Sequence, residues 1–220
     1  MQGTGILFSE MTPPPGREDA FHAWYDEEHI PLRMAVPGFL SGQRYGVDGG
    51  FLAVYEMTDL SALTTPAYDV VKNQPSALTK DMLANVSGFT RYLAREMSVQ
   101  RKPDLGGKAL MAPLLYSVFF NVPEDRLAEF DAWYEQDHVP LLMESPDWWM
   151  VRRFAITVAD PVPFNRLALH YLGSMDAMTS PAREKARNTP WRAKLAAEPW
   201  FKGTYKVFEQ HGPRQTGRVA

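Results

Sequence analysis

A chain of 220 residues, 45% of them apolar and with a net charge of −3, can fill one large or two small domains and carries no basic footprint for nucleic acid or an anionic membrane. It has no cysteine, which excludes disulfides, thiol nucleophiles and Cys-ligated metals and allows a reducing compartment. The opening MQGTGILFSEMTPPP lacks a basic n-region, and no window approaches the ~18 consecutive apolar residues of a membrane helix. A cytoplasmic setting is therefore expected.

Ile6 to Met11 is a short apolar run closed by Thr12-Pro13-Pro14-Pro15-Gly16, and it reads as a strand ended by breakers. A helix follows, with Glu18 and Asp19 in its first turn and Phe21, Trp24, Tyr25, Glu28 and His29 at helical spacing. Pro31 places His29 in or just before the last turn. Pro37-Gly38-Phe39 opens a turn into a second strand over Leu40 to Gly46, and a short loop leads to a third over Phe51 to Met57. Near Ala62 strand character fades and a second helix is expected, before a final edge strand over Thr90 to Glu96.

The same series then recurs. FHAWYDEEHIPLRMAVP at Phe21 to Pro37 returns as FDAWYEQDHVPLLMESP at Phe130 to Pro146, at a constant offset of 109 (130 − 21). The strands Leu114 to Asn121, Trp149 to Ile156 and Thr204 to Glu209 have counterparts in the first half, and Arg44 matches Arg153. A longer loop at Val158 to Asn165 raises the offset to 115 (167 − 52), so Leu52-Ala53-Val54-Tyr55 aligns with Leu167-Ala168-Leu169-His170. Asn73-x-Pro75 then aligns with Asn188-x-Pro190. A period near half the chain length marks a duplicated unit.

Each half reads β-α-β-β-α-β, the ferredoxin-like split βαβ unit. The expected fold is α+β: two tandem ferredoxin-like repeats packed sheet to sheet as an α+β barrel, with a ligand held between them. Its boundaries are residues 1–99 for the first repeat, 100–109 for a linker, 110–210 for the second repeat and 211–220 for a patternless polar tail.

The WYxxxHxP signature at Trp24 to Pro31 and Trp133 to Pro140, with Pro37-Gly38-Phe39 after the first copy, resembles the dimeric α+β barrel superfamily and within it the EthD-like branch. The resemblance covers nearly the whole chain as a fused tandem. It implies a small-molecule site on a fold that serves cofactor-free cyclases, isomerases, dehydratases and monooxygenases as well as haem enzymes. In the second half Asp147-Trp148-Trp149 replaces Gly38-Phe39-Leu40, so the two halves are not expected to offer identical surfaces.

The candidate catalytic residues are His29 and His138 with Tyr25 and Tyr134 four residues before them, and the matched pair Tyr55 and His170. Asp26 and Glu135, three residues before the histidines, and the nearby helix ends favour imidazolium, suited to a general acid. An equally good reading makes the duplicated histidines anchors of the helix end. Alternation along the third strand sends Leu52 and Val54 to the helices and Tyr55 and His170 to the enclosed cavity, if the more apolar face packs on the helices. His170 breaks the repeat, as one asymmetric site would require, though a hydrogen-bonded core histidine does so as well. Arg44, Arg153 and Trp149 are the candidate substrate-binding residues, the arginines for their carboxylate-matching fork. On an outer face they would be solvated charges. Trp24, Trp133, Phe21 and Phe130 read as core.

None of the nucleotide-binding, serine-hydrolase or HExxH patterns is present, and the five histidines include no i, i+4 pair, so no metal is expected. No cofactor is expected either, with haem left open because one axial histidine has no sequence signature. The leading expectation is a cofactor-free lyase or isomerase performing acid/base chemistry on a small apolar, aromatic or polyketide-like molecule. A haem- or oxygen-dependent oxidoreductase and a non-catalytic binding barrel are the alternatives. A small molecule is the expected partner, a homodimer is allowed, and nucleic acid and membrane are not expected.

Overall fold

The computed structural model describes residues 2–217 and divides into two compact units. The first takes in residues up to Arg95, with Thr157–Pro161 and those from Gln210. Here β1 (Gly5–Met11) leads through α1 (Glu18–Trp24), a wide helical turn at Tyr25–His29 and α2 (Ile30–Met34) to β2 (Phe39–Val47) and β3 (Gly50–Met57). Then come α3 (Pro66–Asn73), α4 (Ala77–Asn85) and β4 (Arg91–Arg101). β1 pairs antiparallel with both β3 and β4, and β3 with β2, so the order is β4-β1-β3-β2.

The second unit is Glu96–Ile156 with Val162–Glu209. It runs β5 (Leu114–Phe120), α5 (Leu127–Trp133), a second wide turn at Tyr134–His138, α6 (Val139–Leu142), β6 (Trp148–Asp160) and β7 (Arg166–Leu172). It ends with α7 (Pro181–Arg187), α8 (Pro190–Ala196) and β8 (Thr204–Thr216). Its order, β8-β5-β7-β6, is that of the first unit. The protein is thus α+β with antiparallel strands. Among the described residues no helix is long and apolar enough to cross a membrane.

Each unit has its own core between sheet and helices. Phe21 and Trp24 fill it in the first unit, Phe130 and Trp133 in the second, and all four are at most 2% exposed. In both wide turns, where the helix carries i→i−5 bonds, the later acid reaches the start of the last helix. Glu28 accepts from Ser76 and Thr79 at 2.5 Å each, and Asp137 accepts from Thr189 at 2.6 Å. Ser76 and Thr189 are the N-caps of α4 and α8. The repeated acids therefore clamp one helix to the next.

Several expectations need correction. Ala53, Tyr55 and Met57 face the helices, as do Ala168 and Leu172, and Leu52, Val54, Leu167 and Leu169 occupy the other face. That face is at most 2% exposed too, so greater apolarity could not identify the helix side. The second helical segment is a pair of helices in each unit. β4 runs on to Arg101 and a short helical stretch starts at Gly106, so little of 100–109 is free linker. Residues 211–216 are strand rather than tail, their backbone engaged beside β2, where Gln43 donates to the carbonyls of His211 and Gly212. Backbone pairing needs no side-chain pattern. Residues 218–220 of the expected tail lie outside the described residues.

Trp24 is 1% exposed and its indole N–H donates to Thr79 at 2.8 Å. Trp24→Ala is expected to cost about 3–5 kcal/mol in urea unfolding, the range for buried aromatic truncation. A loss below about 1 kcal/mol would remove Trp24 from the core.

Candidate functional site

The second unit holds a cavity of about 310 Å³ between its sheet and helices. Its floor is a hydrogen-bonded chain. Trp148 at the start of β6 donates its indole N–H to His170 Nδ1 at 3.0 Å, and His170 Nε2 lies 2.8 Å from the Tyr134 hydroxyl. An indole can only donate, so Nδ1 carries no proton and Nε2 does. Burial, with His138 and Arg153 nearby, holds the His170 pKa well below the usual range, so the ring is neutral. Nε2–H then donates to Tyr134 Oη, which leaves the tyrosine's own O–H for the cavity. Burial pushes the Tyr134 pKa up, so that proton stays in place.

Further groups converge on the same space. His138 donates Nδ1–H to the Ala186 carbonyl at 3.3 Å and so keeps its Nε2 lone pair. Burial, opposed by the hydrogen bond to Ala186 and aided by the charges of Arg192, Arg183 and Arg187, lowers its pKa to about 4. The Trp133 indole N–H is buried on this cavity and has no hydrogen-bond partner among the described residues. Arg183, Arg187, Arg192 and Lys206 supply positive charge, and among the described residues no carboxylate lines the space. Arg183 is anchored by donating to the Met178 carbonyl at 2.9 Å, and Arg192 by donating to that of Arg187 at 3.1 Å. The site is rich in donors and free of acids.

The first unit has a cavity of about 240 Å³ in the corresponding place, lined by Tyr25, His29, Arg33 and Tyr55. Its chemistry differs position by position. Phe39 stands where Trp148 does, and Tyr55 stands for His170. Thr65 and Ser180 cap α3 and α7, so Tyr68 and Arg183 are both third residues after the cap. Ser76 and Thr189 likewise make Thr79 the counterpart of Arg192. Thr79 accepts the Trp24 indole N–H. With arginine there instead, the Trp133 N–H is left for the cavity.

The expected site residues are therefore only partly brought together. Tyr134, His138 and His170 share one cavity, and Tyr25, His29 and Tyr55 line the other. Each cavity lies within its own unit, against the helices. The acids do not make imidazolium: Asp26 pairs with Arg44 at 3.1 Å, and Glu135 accepts from Ser98 at 2.6 Å and Gln100 at 2.8 Å. Burial, with Arg33 and Arg44, instead holds His29 well below its ordinary pKa. Arg44 and Arg153 line neither cavity. Their guanidinium groups sit 4.6 and 4.8 Å from the ring centres of Tyr25 and Tyr134, tied to Asp26 and Asp131, so they are buried braces rather than solvated charges or substrate ligands. Trp149 packs over Gly173, where an added Cβ would lie 2.3 Å from its indole nitrogen. Its neighbour Trp148 faces the cavity.

Trp148, Arg183, Arg192 and the Trp133 N–H were missed. The signal was present in the helix caps, which give an offset of 113 (189 − 76) for α4 and α8. Matching Asn73-x-Pro75 to Asn188-x-Pro190 hid it, because Pro75 precedes its cap and Pro190 follows its own.

Haem does not fit either of the two cavities. Both His170 nitrogens are engaged, and His29 is buried against Trp24 and Tyr25 with ring centres 4.2 and 4.8 Å away. His138 Nε2 remains, but about 310 Å³ is the bottom of the range that drug-sized ligands occupy, roughly 300–1,000 Å³, and is too little for a macrocycle. Among the described residues no group of three or more His, Cys, Asp or Glu could hold a metal ion.

No family model and no curated protein matches the sequence. Solved structures do share the fold. An anthrone oxidase-like protein is 14% identical with a TM-score of 0.66, over 97% of this chain and 93% of that one. A putative monooxygenase from Fusobacterium nucleatum subsp. nucleatum ATCC 25586 is 13% identical with a TM-score of 0.57, over 99% and 94%. One from Lactobacillus acidophilus NCFM is 9% identical with a TM-score of 0.54, over 97% and 96%. At these identities the likenesses show a shared fold. All three are named for oxidation, which overturns the expectation of a lyase or isomerase.

The neutral histidines fix how stability responds to acid. His138 has a folded pKa of about 4 against an ordinary 6.5, so between those values the unfolded chain binds the extra proton. Stability is expected to be full above about pH 6.5 and to fall as pH drops toward 4, by on the order of 3 kcal/mol for this residue alone. His29 and His170 add to the fall in the same direction. Urea midpoints measured from pH 7 to 4 check this, and a flat profile between 7 and 5 would contradict it.

Proposed function

We propose that the chain is an oxygen-dependent oxidoreductase that works in the cavity of the second unit. Its substrate is a small aromatic molecule bound as its phenolate or enolate. The observation that carries this is the acid-free, donor-rich cavity: the Tyr134 O–H, the Trp133 N–H and the arginines all favour an oxyanion among aromatic walls. Such an anion is the electron-rich form that molecular oxygen attacks. The oxidase and monooxygenase names of proteins sharing the fold support the same reaction class.

The reaction closes without an external reductant. An activated CH₂ group and O₂ give a carbonyl and water. The carbon loses four electrons, one oxygen atom ends in the carbonyl and the other in water. The residues supply binding and orientation. Arg192 and Arg183 stabilise the anion, so the bound molecule ionises at a lower pH than in water. Tyr134 donates to the oxyanion, held in place by His170, which is a positioning residue. His138 Nε2 accepts a proton or a hydrogen bond from a second substrate hydroxyl. Burial of the aromatic body excludes water from the reactive anion. We read the two copies of WYxxxHxP as a tandem duplication of the EthD-like unit, with the second copy carrying the chemistry.

Anthrone is the first substrate to test, with an oxygen electrode at pH 7. Enzyme-dependent O₂ uptake matched one to one by carbonyl product is expected. Tyr134→Phe should lower kcat/KM by roughly 100-fold, the lower end for removing one oxyanion donor. Arg192→Gln should raise KM about tenfold. Conversion of substrate at the same rate under nitrogen would defeat the proposal, as would an unimpaired Tyr134→Phe enzyme.

A further inference from the structure

The first unit's cavity also carries cations, Arg33, Lys72 and Arg91, and no carboxylate among the described residues, but its floor and mouth differ from the second's. Tyr55 is 1% exposed, lies at its floor, and its hydroxyl has no hydrogen-bond partner among the described residues. Leaving such a group unpaired costs about 1–3 kcal/mol, so it is rarely retained without a partner. Arg33 repeats the pattern on the same cavity. One of its terminal nitrogens donates to the His29 carbonyl at 2.9 Å, while its buried Nε has no partner among the described residues. The guanidinium lies 5.5 Å from the centre of the Tyr55 ring, so both free donors belong to groups that share one cavity.

The mouth is also different. Leu32, Val70, Leu83 and Phe89 line it beside Lys72 and Arg91 and are all exposed, whereas among the described residues Tyr205 is the one exposed large apolar side chain lining the second cavity. Four exposed large apolar side chains around one opening are unusual outside a binding surface. The volume of about 240 Å³ lies below the drug-sized range of roughly 300–1,000 Å³.

We propose that the first unit's cavity is a second ligand site, for a neutral apolar molecule of one or two rings whose carbonyl oxygen accepts from the Tyr55 hydroxyl and from Arg33 Nε. Its apolar body would cover Leu32, Val70, Leu83 and Phe89. The proposal does not depend on the oxidoreductase reading, because it concerns other residues and is tested by binding rather than turnover.

Two naphthalene probes of one size separate the sites: 2-acetylnaphthalene, neutral with a single carbonyl acceptor, and 1-naphthoate, an anion. Titration calorimetry with the full chain is expected to give saturable binding of the ketone at one site. Tyr55→Phe should weaken the ketone about tenfold, as loss of one buried hydrogen bond would. The same variant should leave naphthoate unchanged. Arg192→Gln should do the reverse. Because the Tyr55 hydroxyl bonds to nothing in the described residues, Tyr55→Phe should also melt no lower than the parent, which keeps misfolding out of the comparison. The proposal is overturned if the ketone fails to bind, if Tyr55→Phe binds it as tightly as the parent does, or if Arg192→Gln abolishes its binding.

Discussion

Everything in each unit depends on the wide turn that interrupts its first helix. Five residues, Tyr25–His29 and Tyr134–His138, carry i→i−5 bonds, which is one residue more than a regular turn holds. The widening turns the following residues around the axis. Tyrosine and histidine come face to edge, with ring centres 4.8 and 5.2 Å apart, and both reach the cavity. The same geometry carries Glu28 and Asp137 to the caps of α4 and α8. The turn therefore sets the cavity wall and fixes the helix that closes it. An arginine beneath each tyrosine, Arg44 or Arg153, holds the ring from the other side.

On this common frame the two cavities differ by a small number of linked exchanges. Tryptophan in place of Phe39 gives a donor, and histidine in place of Tyr55 gives a ring that takes it and passes a hydrogen bond to Tyr134. Neither exchange alone completes the chain. Arginine at the position of Thr79 adds charge and removes the acceptor that ties up the indole in the first unit. The outcome is one cavity with a satisfied polar floor and a cationic wall, and another with a free phenol and an apolar mouth.

The sequence disclosed the repeated segment, the order of elements in each unit and the buried aromatic pairs, because these rest on periodicity and on breakers such as Pro13 to Gly16. It also placed His170 as the residue that breaks the repeat. Which way the third strand faces was not legible, since Leu52, Val54, Leu167 and Leu169 are as buried as the residues between them. The state of the histidines was hidden for a different reason. Spacing put Asp26 and Glu135 beside them, but the strand arginines and the polar groups of β4 claimed those carboxylates. Burial of the rings decided the charge, with the carboxylates paired elsewhere, and no local pattern announces either. The extended final strand was missed because its bonds are made by the backbone.

The presence of both copies in one polypeptide has a consequence for how such a molecule can change. Where identical subunits each bring a cavity, a mutation alters every copy at once, and a gain for one ligand is a loss for another. Here Trp148 can arise without touching Phe39, and Arg192 without touching Thr79. The chain also makes its two cavities in a fixed one-to-one ratio at any concentration, so a pair of dissimilar pockets is inherited as a single trait.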